Sequence, residues 1–241
     1  MDKKSLYIPL LTPALGYAQE ALHRVGILPV SEGSEASCWL FPVPTGEISR
    51  LPEPGTLVIG GNLDKPELSA FPRLDLLADA IYLAENARLT AECALRILGD
   101  RLSVSLLGCP ILIIGWGRVG KCLAQLLRNM DARVVVAARK PTDLGMLAVL
   151  GYEAVAVTQI PDILPDMRVI INTAPAPVLG ETDLLLFPSH GIKLDLASSR
   201  GIAGEDVLWA RGLPGKMLPE ASGELIARRV LTLLYRKEEK V

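Results

Sequence analysis

At 241 residues, half of them hydrophobic, the chain has material for two modest domains with packed cores. Its 25 Lys and Arg nearly balance 27 Asp and Glu, a formal net charge of −2, which excludes a strongly basic nucleic-acid surface and an anionic-membrane binder. The expected partner is a small molecule or another protein.

In chain order, the first residues run Met1-Asp2-Lys3-Lys4 into an apolar stretch with the outline of a leader. Pro9 and Pro13 interrupt that stretch, so residues 6–10 read as a first strand. A helix at 15–25 and strands at 27–30, 38–41, 57–59 and 81–83 are expected next, with the proline-rich span 42–54 as loop. Apolar residues then recur at Ala87, Ala91, Ala94, Leu95, Leu98 and Leu102, the spacing of one helical face, which predicts a helix joining two domains.

From Ile111 onward the pattern alternates. Strands are expected at 111–114, 133–138, 153–157, 169–172, 192–196 and 207–210, with helices at 118–129 and 142–150. That is a Rossmann-type, doubly wound parallel sheet, accompanied by a second, smaller α/β domain. Ile226, Val230, Leu233 and Leu234 form a stripe on a final helix that should pack back on the N-terminal part. The expected division is therefore 1–85 with 219–241 as a small substrate domain and 86–218 as the nucleotide domain, with crossings near 86–102 and 215–222 forming a hinge. The tail from Arg236 reads as a solvated helix end.

The segment Ile111-Leu-Ile-Ile-Gly115-Trp116-Gly117-Arg118-Val119-Gly120-Lys121 carries the strongest signal. An apolar strand enters a G-x-G-x-x-G turn that opens a helix. Gly115 suits a tight turn, Gly117 lets the backbone approach a pyrophosphate, and Gly120 allows helix and strand to pack closely. The following strand ends in Arg139 and Lys140 where an NAD-binding chain would carry Asp or Glu. A guanidinium can pair bidentately with a 2′-phosphate and an ammonium can add charge, so the expected cofactor is NADP(H).

Polar groups leaving the carboxyl ends of later strands are candidates for the rest of the site. Asn172-Thr173-Ala174-Pro175 should reach the nicotinamide ribose or ring, while Asp195, Ser198, Ser199, Arg211 and Lys216 follow the next strands. His190 precedes its strand and belongs to the opposite edge, and His23 lies in an amphipathic helix, so neither is an expected proton shuttle. Cys38, Cys93, Cys109 and Cys122 show no metal-ligand spacing and read as reduced core thiols in a cytoplasmic protein without a bilayer-spanning stretch. With no metal and no evident base, the expected reaction is one that a well-placed nicotinamide nearly completes alone.

Several motifs occur together: Glu85-Asn86-Ala-Arg88-Leu-Thr90-Ala-Glu92, the glycine turn, Ala138-Arg139-Lys140, Ile171-Asn172-Thr173-Ala174-Pro175, Leu194-Asp195-Leu196-Ala197-Ser198 and Gly212-Leu213-Pro214-Gly215-Lys216 with Pro219. In this order they resemble the A subunit of dipicolinate synthase over roughly residues 80–235. The resemblance implies oxidation of 2,3-dihydrodipicolinate to dipicolinate with NADP in sporulating bacteria, beside a second, B-type subunit, in a chain that is itself expected to be a homo-oligomer. A dicarboxylate substrate needs cationic or N–H donors, and Arg88, Arg211 and Lys216 are the candidates, with Thr45 and Asn62 on loops of the first third. That first third departs from the family pattern, being shorter and without a glycine turn of its own. The alternative readings are a 2-hydroxy-acid or shikimate-type dehydrogenase, or an NADP-binding regulatory subunit without turnover.

Overall fold

The computed structural model describes residues 4–238, and the chain divides into two compact units: residues through Leu89 with those from Pro214 onward, and Thr90–Leu213. In the first unit, β1 (Ser5–Tyr7), α1 (Pro13–Arg24), β2 (Leu28–Pro29), β3 (Cys38–Leu40), β4 (Leu57–Gly60) and β5 (Arg73–Asp75) are followed by α2 (Ala80–Arg101), which continues into the second unit. The five strands pair in the order β2-β1-β3-β4-β5, all parallel. Alternate residues of β3 serve opposite faces: Cys38 and Leu40 pack with Leu15, Leu22 and Ile59, whereas Trp39 packs with Phe41, Val58 and Leu68.

The strand expected at 81–83 does not exist. Those residues form the first turn of α2, because the Asp79 carboxylate accepts the N–H groups of Ile81 and Tyr82 at 2.8 and 3.2 Å and so starts a helix there. A three-residue apolar run fits either structure, and the cap decides. The fifth strand is the less apolar Arg73–Asp75, paired with β4.

The second unit runs β6 (Pro110–Ile114), α3 (Arg118–Arg128), β7 (Arg133–Ala138), α4 (Pro141–Val149), β8 (Glu153–Ala156), α5 (Ile160–Ile163), β9 (Val169–Asn172), α6 (Glu181–Leu184), β10 (Ile192–Asp195) and β11 (Leu208–Trp209). Its order is β11-β10-β9-β6-β7-β8, all parallel, so the chain reverses direction across the sheet between β6 and β9. This is the doubly wound arrangement, covered on both faces. Ile111 and Ile113 pack with Leu123 and Leu127 of α3, whereas Leu112 and Ile114 meet Ile160 and Leu164 on the other side.

The chain then forms α7 (Leu213–Met217) and α8 (Pro219–Glu238). Ile226, Val230 and Leu234 of α8 are buried in the cluster that holds Leu15, Ala18 and Leu22 of α1. Arg229 on α8 is also buried and pairs with Asp79 at 2.5 Å, tying α8 to the start of α2. The side chains of 236–241, including the expected solvated tail, lie outside the described residues, as do positions 239–241 altogether.

Candidate dinucleotide-binding site

At the carboxyl edge of the second sheet, where β6 and β9 diverge, lies a cavity of about 680 Å³. Its wall is made by the β6–α3 turn, the end of β7 with the start of α4, and the Thr173–Val178 segment after β9. Ligands of doubly wound sheets bind at such a reversal, because the loops on either side of it splay apart.

The glycines divide the work of the turn. Gly115 has φ +103°, which disfavours any side chain, and a Cβ there would fall 2.7 Å from Thr173 Oγ1. A Cβ on Gly120 would meet the Gly115 carbonyl oxygen, so this position sets the approach of α3 to β6. At Gly117 a Cβ would meet nothing within 4 Å. Gly117 is the N-cap of α3, and no cap side chain accepts from the first turn of that helix. The opening N–H groups of α3 are thus left for a ligand, with the positive end of the helix dipole behind them.

Thr173 fastens the opposite wall by donating its hydroxyl to the Ile114 carbonyl at 2.9 Å. Behind it stands a buried brace. The Asn172 amide donates to Asp195 Oδ1 at 3.0 Å and to the Ala174 carbonyl at 3.0 Å, while its oxygen accepts from Ala174 N. Asp195 is fully buried and also accepts from the backbone of Ala197, Gly201 and Ile202. The carboxylate is therefore spent on holding the loops after β9 and β10 in place.

Of the residues expected to hold the cofactor, Gly115, Trp116, Gly117, Arg139, Lys140, Thr173, Ala174 and Pro175 line the cavity together. Arg118 and Val119 lie in the first turn of α3, outside the wall, and Gly120 is buried against the turn. Asn172 departs from the expectation that it reaches the nicotinamide: its side chain is fully buried and spent on Asp195 and Ala174. Trp116 meets Tyr152 edge-on with ring centroids 5.5 Å apart, and Lys121 lies 5.7 Å over its ring.

Arg139 and Lys140 are exposed at the rim, and among the described residues neither side chain has an ion pair or hydrogen bond. Sequence reading missed Asp143, whose carboxylate shares the wall and also lacks a partner there. Its signal was available, since position three of a helix following the strand end faces the same opening.

The expected substrate residues are distributed between the units. Arg88 is exposed on α2 and Lys216 on α7, both in the first unit, whereas Arg211 of the second unit places its guanidinium 5.4 Å over the Trp209 ring. The Thr45 hydroxyl is buried, donating to Pro42 O and accepting from Gly61 N, so it shapes the loop after β3. Asn62 is exposed with φ +59°, held there by Asp75, which accepts from the N–H groups of Asn62, Leu63 and Leu77. His190 lies at the amino edge of the sheet, away from the cavity, and His23 is exposed on α1. None of the four cysteines takes part in a disulfide.

Together the doubly wound sheet and the open glycine turn have the layout of a dinucleotide-binding fold. No family model matches the chain. In sequence it is 28% identical over 163 residues to the A subunit of dipicolinate synthase from Bacillus subtilis strain 168, a match covering 64% of this chain and 54% of that protein's length. In structure it matches the A subunit of dipicolinate synthase from Bacillus halodurans with TM-score 0.83 at 21% identity, over 96% of this chain and 98% of that one. A transhydrogenase from Sinorhizobium meliloti matches with TM-score 0.77 at 15% identity, over 96% and 93% of the two chains. The resemblance to the dipicolinate synthase A chains thus holds in both sequence and fold. The fold match extends through the first unit as well, so the departure expected in the first third does not extend to its architecture. Among the described residues no helix is long and apolar enough to cross a membrane.

Proposed function

We propose that the chain binds NADP(H) in the cavity above α3 and oxidises 2,3-dihydrodipicolinate to dipicolinate, working beside a B-type subunit. The cofactor part rests on one observation: two adjacent cations, Arg139 and Lys140, stand at the cavity rim directly after β7 with no partner among the described residues. Their mutual repulsion is relieved by a bound dianion, and the Arg139 guanidinium offers a planar fork to a phosphate. The space in front of Gly117 and the uncapped first turn of α3 suit a pyrophosphate.

The nicotinamide supplies the hydride acceptor. Loss of hydride and a proton from the dihydropyridine creates an aromatic ring, so the residues need to orient the substrate more than to activate it. Two carboxylates call for cations, and Arg88, Arg211 and Lys216 fill that role in this reading, with Thr45 shaping and Asn62 presenting loops of the first unit.

The test is direct. The purified chain, given freshly made dihydrodipicolinate and NADP⁺ with and without a B-type partner, should form NADPH and dipicolinate in equal amounts. NADP binding without turnover in either arm would give the chain a regulatory role instead. Lys216→Met should raise the substrate KM at least about tenfold, the loss of one ionic contact, and leave NADP affinity unchanged.

A further inference from the structure

A second hollow, of about 520 Å³, lies wholly within the second unit at the amino edge of its sheet. It is built from the loop before β6, the turn before β9 and the Pro188–His190 segment before β10, the edge opposite the dinucleotide cavity. The proposed oxidation makes no use of it.

Its chemistry is that of an amphiphile site. Arg168 lines it, held at the start of β9 by its backbone N–H to the Pro110 carbonyl at 2.9 Å. Its side chain has no counter-ion among the described residues: the one bond it makes is from Nη2 to Ser103 Oγ at the long distance of 3.5 Å. Nε is buried with no partner among the described residues. A guanidinium partly withdrawn from water with so little compensation is costly, and an anion would remove that cost.

The other charges nearby do not already do so. Asp166 shares the lining but forms no ion pair with Arg168, and its charge acts on Arg133, which pairs with Glu153 at 2.8 Å. His190 adds an exposed imidazole to the same wall. Cys109 lines the same hollow; burial raises its thiol pKa, and the Arg168 charge partly offsets that rise. Most of the remaining lining is apolar: Val104 and Leu107 are 49% and 73% exposed, beside Pro110, Pro165, Met167 and Pro188, with Ser105 as a further polar group. A few polar groups in an apolar concavity are the pattern of a small-molecule site.

We infer that this hollow binds a small organic carboxylate with an apolar body, its carboxylate serving as counter-ion to Arg168 and its body covering Leu107 and Val104. Benzoate is a suitable probe, and neutral benzamide its isosteric control. Titrated into the full chain and followed by the Arg168 Nε–H resonance, benzoate should give a saturable shift with a Kd of about 1 mM, and benzamide at least about tenfold weaker binding. Arg168→Met should weaken benzoate binding, followed by calorimetry, at least about tenfold. Leu107→Glu, an exposed change that leaves the core intact, should also weaken it by placing a like charge at the mouth, and it decides the matter alone if Arg168→Met does not fold. Gly117→Val should leave it unchanged. Absence of a saturable shift, equal binding of benzamide, undiminished binding in Leu107→Glu, or loss of binding in Gly117→Val would each overturn the assignment, the last by moving the carboxylate to the dinucleotide cavity.

Discussion

The two units are built on parallel sheets whose first strands each lead into a helix, yet the two helix starts are chemically opposite. In the first unit, Thr12 Oγ1 accepts the Leu15 N–H at 3.3 Å and Pro13 removes another donor, so α1 closes its own N-terminus. In the second, Gly117 offers no side chain to α3, and the open donors face a cavity flanked by cations with no partner among the described residues. Sheet topology alone therefore does not make a nucleotide site. What the proposed one adds is a helix start left unsatisfied, beside space and positive charge.

The largest expected effect lies in the unit without that opening. Removing one partner of a buried ion pair leaves the other charge stranded, so Arg229→Ala should destabilise the chain by about 3 to 5 kcal/mol in denaturant unfolding while the dinucleotide cavity keeps its residues. The same pair gives a pH signature. Burial by itself raises the Asp79 carboxyl, but the Arg229 guanidinium and the Tyr82 and Ile81 N–H groups outweigh it and hold the pKa below its usual 3.8. A carboxyl lowered on folding stabilises the protein above its unfolded pKa and loses that contribution as pH falls through the lowered value. Melting temperatures followed from pH 6 down to pH 3 should therefore drop, and Asp79→Asn should flatten part of the drop; parallel curves would show that the pair does not cause it.

Next is the helix start of the second unit. Gly117→Val should lower NADP(H) affinity about 100-fold or more, near 2.7 kcal/mol, with an unchanged melting temperature, because a Cβ there meets open space and the ligand must use that space. Gly120→Ala makes the contrast, since its Cβ strikes the Gly115 carbonyl, and should cost stability of about 1 to 3 kcal/mol as overpacking does. If both variants behaved alike, the division of roles within the turn would be wrong.

Smaller again is the cation pair. Arg139→Ala should reduce NADPH affinity about tenfold or more while leaving NADH nearly untouched, one charge-assisted bond contributing about 1.5 to 3 kcal/mol. Equal losses for both cofactors in a competition titration would assign the pair to the pyrophosphate rather than the 2′-phosphate. The smallest effect belongs to the closed helix start: Thr12→Ala should lower stability by about 1 kcal/mol, the worth of an N-cap, with no change in nucleotide affinity.

Much of the second unit was legible because its signals are local. Apolar runs marked β6, β7 and β9, helical spacing marked α3, and a glycine turn between strand and helix has one common use. The last helix was equally readable, since Ile226, Val230 and Leu234 repeat at helical intervals. Where local signals were ambiguous the reading failed, as at 81–83, where an apolar triplet was resolved by the Asp79 cap and the true edge strand carried little apolar pattern.

By itself, then, the sequence determined the alternation of elements, the glycine turn and the position of two cations after β7, all properties of residues within a few positions of one another. Only the tertiary structure decided what those and other polar groups face. Asn172 reads as a ligand residue at a strand end, but Asp195, 23 positions later, turns it inward. Arg168 reads as nothing in particular, but three loops leave its guanidinium in a hollow with no counter-ion among the described residues. The reason is physical: backbone conformation follows mostly from neighbours along the chain, whereas hydrogen-bond satisfaction depends on groups that folding brings together from far apart.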